Sequence, residues 1–265
     1  MTAYVPSFAD DPGDPLQRRL NQLYEYADDL ETRVLHRARL NLFDLLLAEL
    51  EESGALAQRE TALDVGCNAG LYSKMISDAG FAHVEGLDLE PVFIERASEA
   101  FEVEAAERSI TFRVENAEEL DRSRRYDFIL CTEVIEHTAK PERVVDNLKT
   151  VLAPGGILVV TMPNAFSLPF AKAALKYRLA RKARDPVFED HLKYPFWRAL
   201  GLFAAPDLER LRVTGTNLIW DATTLRWLAR SPLFPALNRA QFEIGRRVPL
   251  CFAAQFFYMV WRKRG

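Results

Sequence analysis

The chain has 265 residues, with 34 Lys and Arg against 38 Asp and Glu, a formal net charge of −4, and 49% hydrophobic residues. That length and apolar share suit one large α/β domain with additions and a buried core. The acidic balance makes a nucleic-acid partner unlikely on charge grounds, since a broad phosphate-binding surface needs the opposite sign. Cys67, Cys131 and Cys251 are odd in number and widely spaced, as expected of free thiols in a reducing compartment and not of a disulfide framework. Residues 1–15 are polar and acidic with no signal-peptide pattern, so a cytoplasmic location is expected.

Residues 1–14 hold Pro6, Pro12, Gly13 and several Asp, and read as a mobile tail. Residues 15–54 read as a helical cover. Leu16, Leu20, Leu23, Ala27 and Leu30 form one stripe at three- and four-residue steps, and Val34, Leu35, Ala38, Leu42, Leu45 and Leu46 form a second, with Gly54 as the stop. Residues 55–164 alternate strand and helix. Strands are expected at 61–66, 83–88, 109–114, 126–131 and 156–162, with helices starting near Leu71, Pro91 and Pro141 and a short one near Ala117. This alternation predicts a parallel sheet covered on both faces, with every strand C-terminus on one edge.

Residues 165–206 break the rhythm and read as an insert or lid after the fifth strand. Lys172, Lys176, Arg178, Arg181, Lys182 and Arg184 interleave with Phe166, Leu168, Phe170, Leu175 and Leu179, which predicts a basic amphipathic helix over 166–184. Residues 207–265 are expected to complete the sheet. A strand is read over Leu208–Ile219, a helix around Thr224, Leu225 and Leu228, and a last buried strand over Leu250–Trp261, a run too short to span a bilayer.

The segment carrying most information is Leu63-Asp64-Val65-Gly66-Cys67-Asn68-Ala69-Gly70. A strand that stops at a glycine turn and feeds a helix lets backbone approach a nucleotide-like ligand. Val84-Glu85-Gly86-Leu87-Asp88 follows as a second strand ending in an acid, where a ribose hydroxyl pair would sit. Glu115-Asn116-Ala117-Glu118-Glu119 follows the third strand, and Asn116 with Glu119 has capping-box spacing. Thr132-Glu133-Val134-Ile135-Glu136-His137 follows the fourth, and then come Leu152-Ala153-Pro154-Gly155-Gly156 and Met162-Pro163-Asn164.

Together these motifs resemble class I S-adenosylmethionine-dependent methyltransferases over residues 61–164, and the ubiquinone-biosynthesis O-methyltransferases in particular. The resemblance implies a Rossmann-like, seven-stranded, mostly parallel sheet with helices on both faces, and S-adenosyl-L-methionine as methyl donor. It implies cofactor contacts from Asp64, Gly66, Cys67, Asn68, Gly70, Asp88, Leu89, Asn116, Ala117, Glu118 and Cys131. Asn68 stands where the family's middle glycine is usual, and Asn116 where an Asp is common. Asp88 would grip the ribose diol, Asn116 would accept from the adenine amino group, and Asp64 would orient the loop or meet the donor's ammonium.

Glu133 and His137 are the catalytic candidates. Glu-x-x-Glu-His is also the pattern with which small-RNA 2′-O-methyltransferases bind Mg²⁺, which makes Glu133, Glu136, His137 and the downstream His191 a candidate metal set. The same loop is common in small-molecule members with no metal, where Glu or His shapes the pocket or removes a proton. O-methylation of a small-molecule hydroxyl (a phenol, a sugar or a lipid-linked acceptor) is the expected reaction. N-methylation is the nearest alternative, and RNA 2′-O-methylation a further one. A nicotinamide oxidoreductase would share only the glycine turn and the acid, and a non-catalytic subunit would share the donor motifs. If acceptors are lipophilic, residues 166–184 become a candidate peripheral membrane contact.

Overall fold

The computed structural model describes residues 30–102, 109–180, 194–219 and 231–265. The tail at 1–14, the first helical stripe, residues 181–184, His191 and the helix expected around Thr224 lie outside them. The chain forms two compact units. One comprises Leu47–Met162, Ala199–Arg212 and Tyr258–Gly265; the other comprises the chain up to Leu46, Pro163–Arg198 and Val213–Phe257.

In chain order the described helices are α1 (Leu30–Glu52), α2 (Leu71–Asp78), α3 (Pro91–Ala100), α4 (Pro141–Val151), α5 (Leu168–Ala180), α6 (Phe196–Leu202) and α7 (Phe234–Gly245). The strands are β1 (Thr61–Val65), β2 (His83–Asp88), β3 (Ile110–Val114), β4 (Tyr126–Thr132), β5 (Leu152–Pro163), β6 (Leu208–Thr216) and β7 (Phe256–Lys263). They make one seven-stranded sheet in the order β3-β2-β1-β4-β5-β7-β6. The β1–β2, β1–β4, β2–β3 and β4–β5 pairs are all parallel. The central strands are apolar on both faces, as a covered parallel sheet requires: Ala62, Leu63, Val65, Phe128, Ile129, Leu130 and Cys131 are fully buried.

The helix starts follow local chemistry. Pro91 and Pro141 stand in the first turns of α3 and α4, where a missing amide costs nothing. Helix α1 covers the second expected stripe, with Ala38, Leu42 and Leu46 buried. It stops at Gly54, whose φ is 70°. There the amide of Ala55 reaches the carbonyl of Leu50 at 2.8 Å and that of Gly54 reaches Glu51 at 2.9 Å, a Schellman closure.

Three expectations change, and two helices add to the reading. Strand β5 begins at Leu152 and not at 156. Tyr126 pairs with Leu152 and Phe128 with Ile157, so the extra residues around Pro154 and Gly155 are absorbed as an irregularity within the strand. The amphipathic reading of 166–184 changes over its described part, because the exposed face is itself apolar. On α5, Phe170 is buried while Leu168, Leu175 and Leu179 are exposed, so apolar residues occupy both sides. Helices α6 and α7 had no expectation. The final run divides into a 3₁₀ turn at Leu250–Ala253 and then β7.

That last division has a cause in the second unit. The buried amide of Asn164 donates to the carbonyls of Phe252 at 2.8 Å and Ala254 at 3.0 Å, which holds the turn. Its oxygen accepts from the amides of Phe166 and Phe196, both at 3.1 Å. One side chain thus satisfies four backbone groups from three segments. No helix of the described residues is long and apolar enough to cross a membrane.

Candidate active site

The site residues lie in the first unit, at the C-terminal ends of β1, β2, β3 and β4. The turn after β1 is pinned to β2: the amides of Gly66 and Cys67 both donate to the carbonyl of Leu87, at 2.8 and 2.9 Å. Gly66 and Gly70 have φ of 74° and 81°. A Cβ on Gly66 would lie 2.3 Å from Val134 Cγ2, and one on Gly70 would lie 2.6 Å from the Phe112 ring. Both positions therefore need glycine for conformation and for space. Asn68 also has positive φ, 48°. Asparagine tolerates this region, and its Oδ1 accepts the amide of Ala69 at 2.7 Å.

Asp88 closes the turn from the β2 side. Its Oδ2 accepts the amide of Asn68 and its Oδ1 the amide of Glu90, both at 3.0 Å. The carboxylate is fixed in orientation, and each oxygen keeps a further lone pair for a ligand hydroxyl. Leu89 beside it is exposed.

Asp64 is fully buried in β1. Ser73 Oγ of α2 donates to its Oδ2 at 2.7 Å, and its Oδ1 has no hydrogen-bond partner among the described residues. Burial pushes the carboxyl up to about 7; the Ser73 hydrogen bond opposes the shift and the nearby Asp88 charge adds to it. A half-satisfied buried acid is what a ligand's cationic group would complete. Burial likewise pushes both the Cys67 and Cys131 thiols up, with negative charges nearby. They are neutral thiols that pack as small apolar groups.

After β3, Asn116 caps a 3₁₀ turn at Ala117–Glu119, its Oδ1 accepting the amide of Glu118 at 2.9 Å. Ala117 is buried, and its carbonyl accepts from Asn147 Nδ2 of α4 at 2.9 Å. Glu118, expected at the cofactor, uses its Oε1 to accept the amides of Ala139 at 2.8 Å and Lys140 at 3.1 Å.

After β4, Glu133 takes φ of 53°. Its amide donates to the Thr161 carbonyl at 3.2 Å, and its Oε1 accepts from Thr161 Oγ1 at 3.0 Å. A 3₁₀ turn follows at Ile135–His137. The Glu136 side chain is fully buried, whereas that of His137 is 39% exposed, with its Nε2 3.8 Å from Glu136 Oε1. Among the described residues no three His, Cys, Asp or Glu side chains converge as a metal site. Glu133 is tied to Thr161, and the Glu136 carboxylate is withdrawn from solvent. As placed here, Glu133, Glu136 and His137 do not fit a Mg²⁺ cage; His191, the fourth candidate, lies outside the described residues. Thr161 and Ser73, which orient two acids, carried no sequence signal: a lone hydroxyl in an apolar strand or on a helix is recognisable only once its partner is placed.

A family model described as a methyltransferase domain matches residues 34–230. The ubiquinone biosynthesis O-methyltransferase of Bradyrhizobium sp. is 35% identical over 111 residues, covering 42% of this chain and 43% of that protein. The enzyme of the same name from Xylella fastidiosa is 32% identical over 154 residues, covering 56% and 59%. The chain spans about half the length of the curated relatives it matches. Among solved structures, magnesium protoporphyrin IX methyltransferase from Synechocystis with bound S-adenosylhomocysteine superposes with a TM-score of 0.59 at 15% identity, covering 94% of this chain and 93% of that one. An S-adenosylmethionine-dependent methyltransferase from Mesorhizobium loti gives 0.52 at 14% identity, covering 80% and 95%.

The buried acid makes stability depend on pH. Asp64 binds its proton up to about pH 7 in the folded chain and only up to its ordinary 3.8 when unfolded. Stability from this group is therefore full below the unfolded value and is lost as pH rises towards 7. The ceiling is about 4 kcal/mol, three pKa units at 1.36 kcal/mol each. His36, pushed down to about 3 by burial and then by Arg39, slopes the other way and cancels in a comparison with a variant. In urea titrations without ligand, Asp64→Asn is expected to gain on the parent steadily from pH 4 to pH 8. A pH-independent difference would contradict the assignment.

Proposed function

Because the chain belongs to the methyltransferase domain family, we propose that it transfers the methyl group of S-adenosyl-L-methionine to a small-molecule hydroxyl. The observation that carries this reading is the fixed acid of β2 facing the glycine turn of β1: Asp88, held by the amides of Asn68 and Glu90, is oriented for a ribose diol. The residues fit the donor in that the buried Asp64 keeps one carboxylate oxygen without a partner among the described residues, while Gly66 and Gly70 hold a tight turn that leaves no room for a Cβ against Val134 and Phe112. In this reading the free oxygen of Asp64 meets the donor's ammonium, Asn116 and Ala117 hold the adenine edge, and Leu89, Cys67 and Cys131 give apolar walls. Residues 55–164 are then the donor-binding core.

The donor's sulfonium supplies a methyl group activated for direct displacement. The new bond joins the acceptor oxygen to that methyl carbon as the sulfur–carbon bond breaks, and S-adenosylhomocysteine leaves. The chain's part is alignment of the acceptor and removal of its proton. His137 is the base we favour over Glu133, because its imidazole reaches solvent and can pass the proton on, whereas Glu133 is tied to Thr161. The base favours an oxygen acceptor over an amine, which needs less help.

A finer reading concerns the acceptor's source. Leu168, Leu175 and Leu179 recur at steps of seven and four, share one face of α5 and are exposed, as is Phe166 before the helix. With Lys172 and Arg178 on the same helix, this face suits an anionic bilayer surface, where each basic residue contributes about 1 kcal/mol. A lipophilic acceptor, as the names of the ubiquinone-pathway relatives suggest, would then be met at the membrane.

Calorimetry with S-adenosylhomocysteine is expected to show Asp88→Ala at least tenfold weaker, since a hydrogen bond to a charged group contributes roughly 1.5–3 kcal/mol. Unchanged affinity in a folded variant removes Asp88 from the site. His137→Ala is expected to keep donor affinity and lose about 10²–10⁴ in turnover of a hydroxylated acceptor; near-normal turnover rules out a base role. Finally, the protein is expected to co-sediment with anionic and not with neutral vesicles, and Lys176→Glu with Arg181→Glu to abolish this. Retention in the supernatant with both vesicle types would leave a soluble acceptor.

A further inference from the structure

The two halves of the site sit on strands that are not neighbours. The turn after β3 and the loop after β4 are separated in the sheet by β2 and β1. A direct link between them outside the sheet is made twice by the 3₁₀ turn at Ala117–Glu119. At its first residue, the Ala117 carbonyl accepts from Asn147, a buried residue inside α4. At its second, one carboxylate oxygen of Glu118 accepts the consecutive amides of Ala139 and Lys140.

Those amides stand just before Pro141, where α4 begins, and Lys140 gives that helix no side-chain cap. Glu118 therefore braces the two residues that lead into α4 from another element, with its charge near the positive end of the helix. The same two amides are also the exit of the loop that carries Glu133 and His137. The entrance of that loop is anchored separately, by the amide and carboxylate of Glu133 on Thr161. Loop 133–140 is thus tied at one end to the sheet and at the other to the turn that carries Asn116 and Ala117. Asn116 caps that turn through the amide of Glu118 itself, so the backbone that would receive the adenine edge and the side chain that grips the loop belong to the same residue pair.

We propose that Glu118 is a positioning residue that couples occupancy of the donor side to the order of the acceptor-side loop 133–140. The inference rests on the donor reading above. When the turn at Ala117–Glu119 closes on a ligand, Glu118 holds Ala139 and Lys140 and keeps the His137 segment in register. Without its carboxylate, the donor still binds and the loop no longer responds.

The test is hydrogen exchange on the full chain with and without S-adenosylhomocysteine, alongside affinity and turnover. In the parent, the ligand is expected to slow exchange of peptides covering 134–140. Glu118→Ala is expected to bind the ligand within threefold of the parent, to lose that ligand-induced slowing, and to drop at least tenfold in turnover with a smaller change in donor KM. Glu118→Gln keeps an acceptor oxygen and should recover part of the slowing. If the ligand still slows exchange at 134–140 in a folded Glu118→Ala, the residue only braces α4 and the coupling is overturned. If that variant loses more than tenfold in affinity, Glu118 touches the donor directly and the coupling is again overturned. No melting shift with S-adenosylhomocysteine in the parent would sink the donor reading and the coupling together, whereas a shift without slowing at 134–140 would sink the coupling alone.

Discussion

The amide of Asn68 donates to the carboxylate of Asp88, and this one bond joins the turn after β1 to the end of β2. Gly66, Asn68 and Gly70 of the turn all take positive φ, and Asn68 is the one of the three that does so without glycine's freedom. Two further bonds from Gly66 and Cys67 to Leu87 fasten the same join from the backbone side. The acid that would hold a ribose is therefore also the acid that keeps the cradle in shape. Binding and preorganisation share a group, and losing it disturbs both.

The same economy shows in the packing. The turn cannot spread, because Val134 lies against Gly66 and Phe112 and Phe101 against Gly70. The aromatic ring of Phe112 comes from β3 and the valine from the loop after β4, so side chains from the neighbouring segments define how much room the backbone leaves. Asp64 sits beneath, withdrawn from water and short of one partner. An uncompensated acid of this kind is unfavourable for the empty fold and favourable for a cation-bearing ligand, a common trade between stability and function.

The fold was legible where local chemistry and burial agree. The short runs at 61–65, 83–88 and 126–132, bounded by turn residues and spaced by helical segments, read as strands, and the prolines at 91 and 141 mark helix starts independently of tertiary context. The glycine turn and Asp88 were legible because their spacing is itself the geometry. Long-range side-chain bonds were not. Glu118 reads as a cofactor contact from its neighbours in sequence, yet its carboxylate goes to amides 21 and 22 residues away. Glu-x-x-Glu-His reads as a ligand set, but Thr161 takes the first carboxylate, and the second is buried beside His137, 3.8 Å from its Nε2. Helix α7 went unread because its apolar residues do not segregate: Phe234 and Phe242 are buried, while Leu233, Leu237 and Ile244 are exposed.

Among the described residues the strand order leaves β3 and β6 as the two rims of the sheet. A rim offers unpaired backbone to any other extended chain, and proteins that stay apart from their copies defend it with charge. Here β6 places Glu209 and Arg210 in solvent and ties Arg212 to Glu49 at 2.7 Å, while β3 ties Arg113 to Glu85 and Glu115. A second chain docking edge-on would have to strip water from these groups or break their pairs. The sheet is in this sense closed to growth at both ends, so misassembly by strand addition is disfavoured while the apolar faces elsewhere on the molecule stay available for contact.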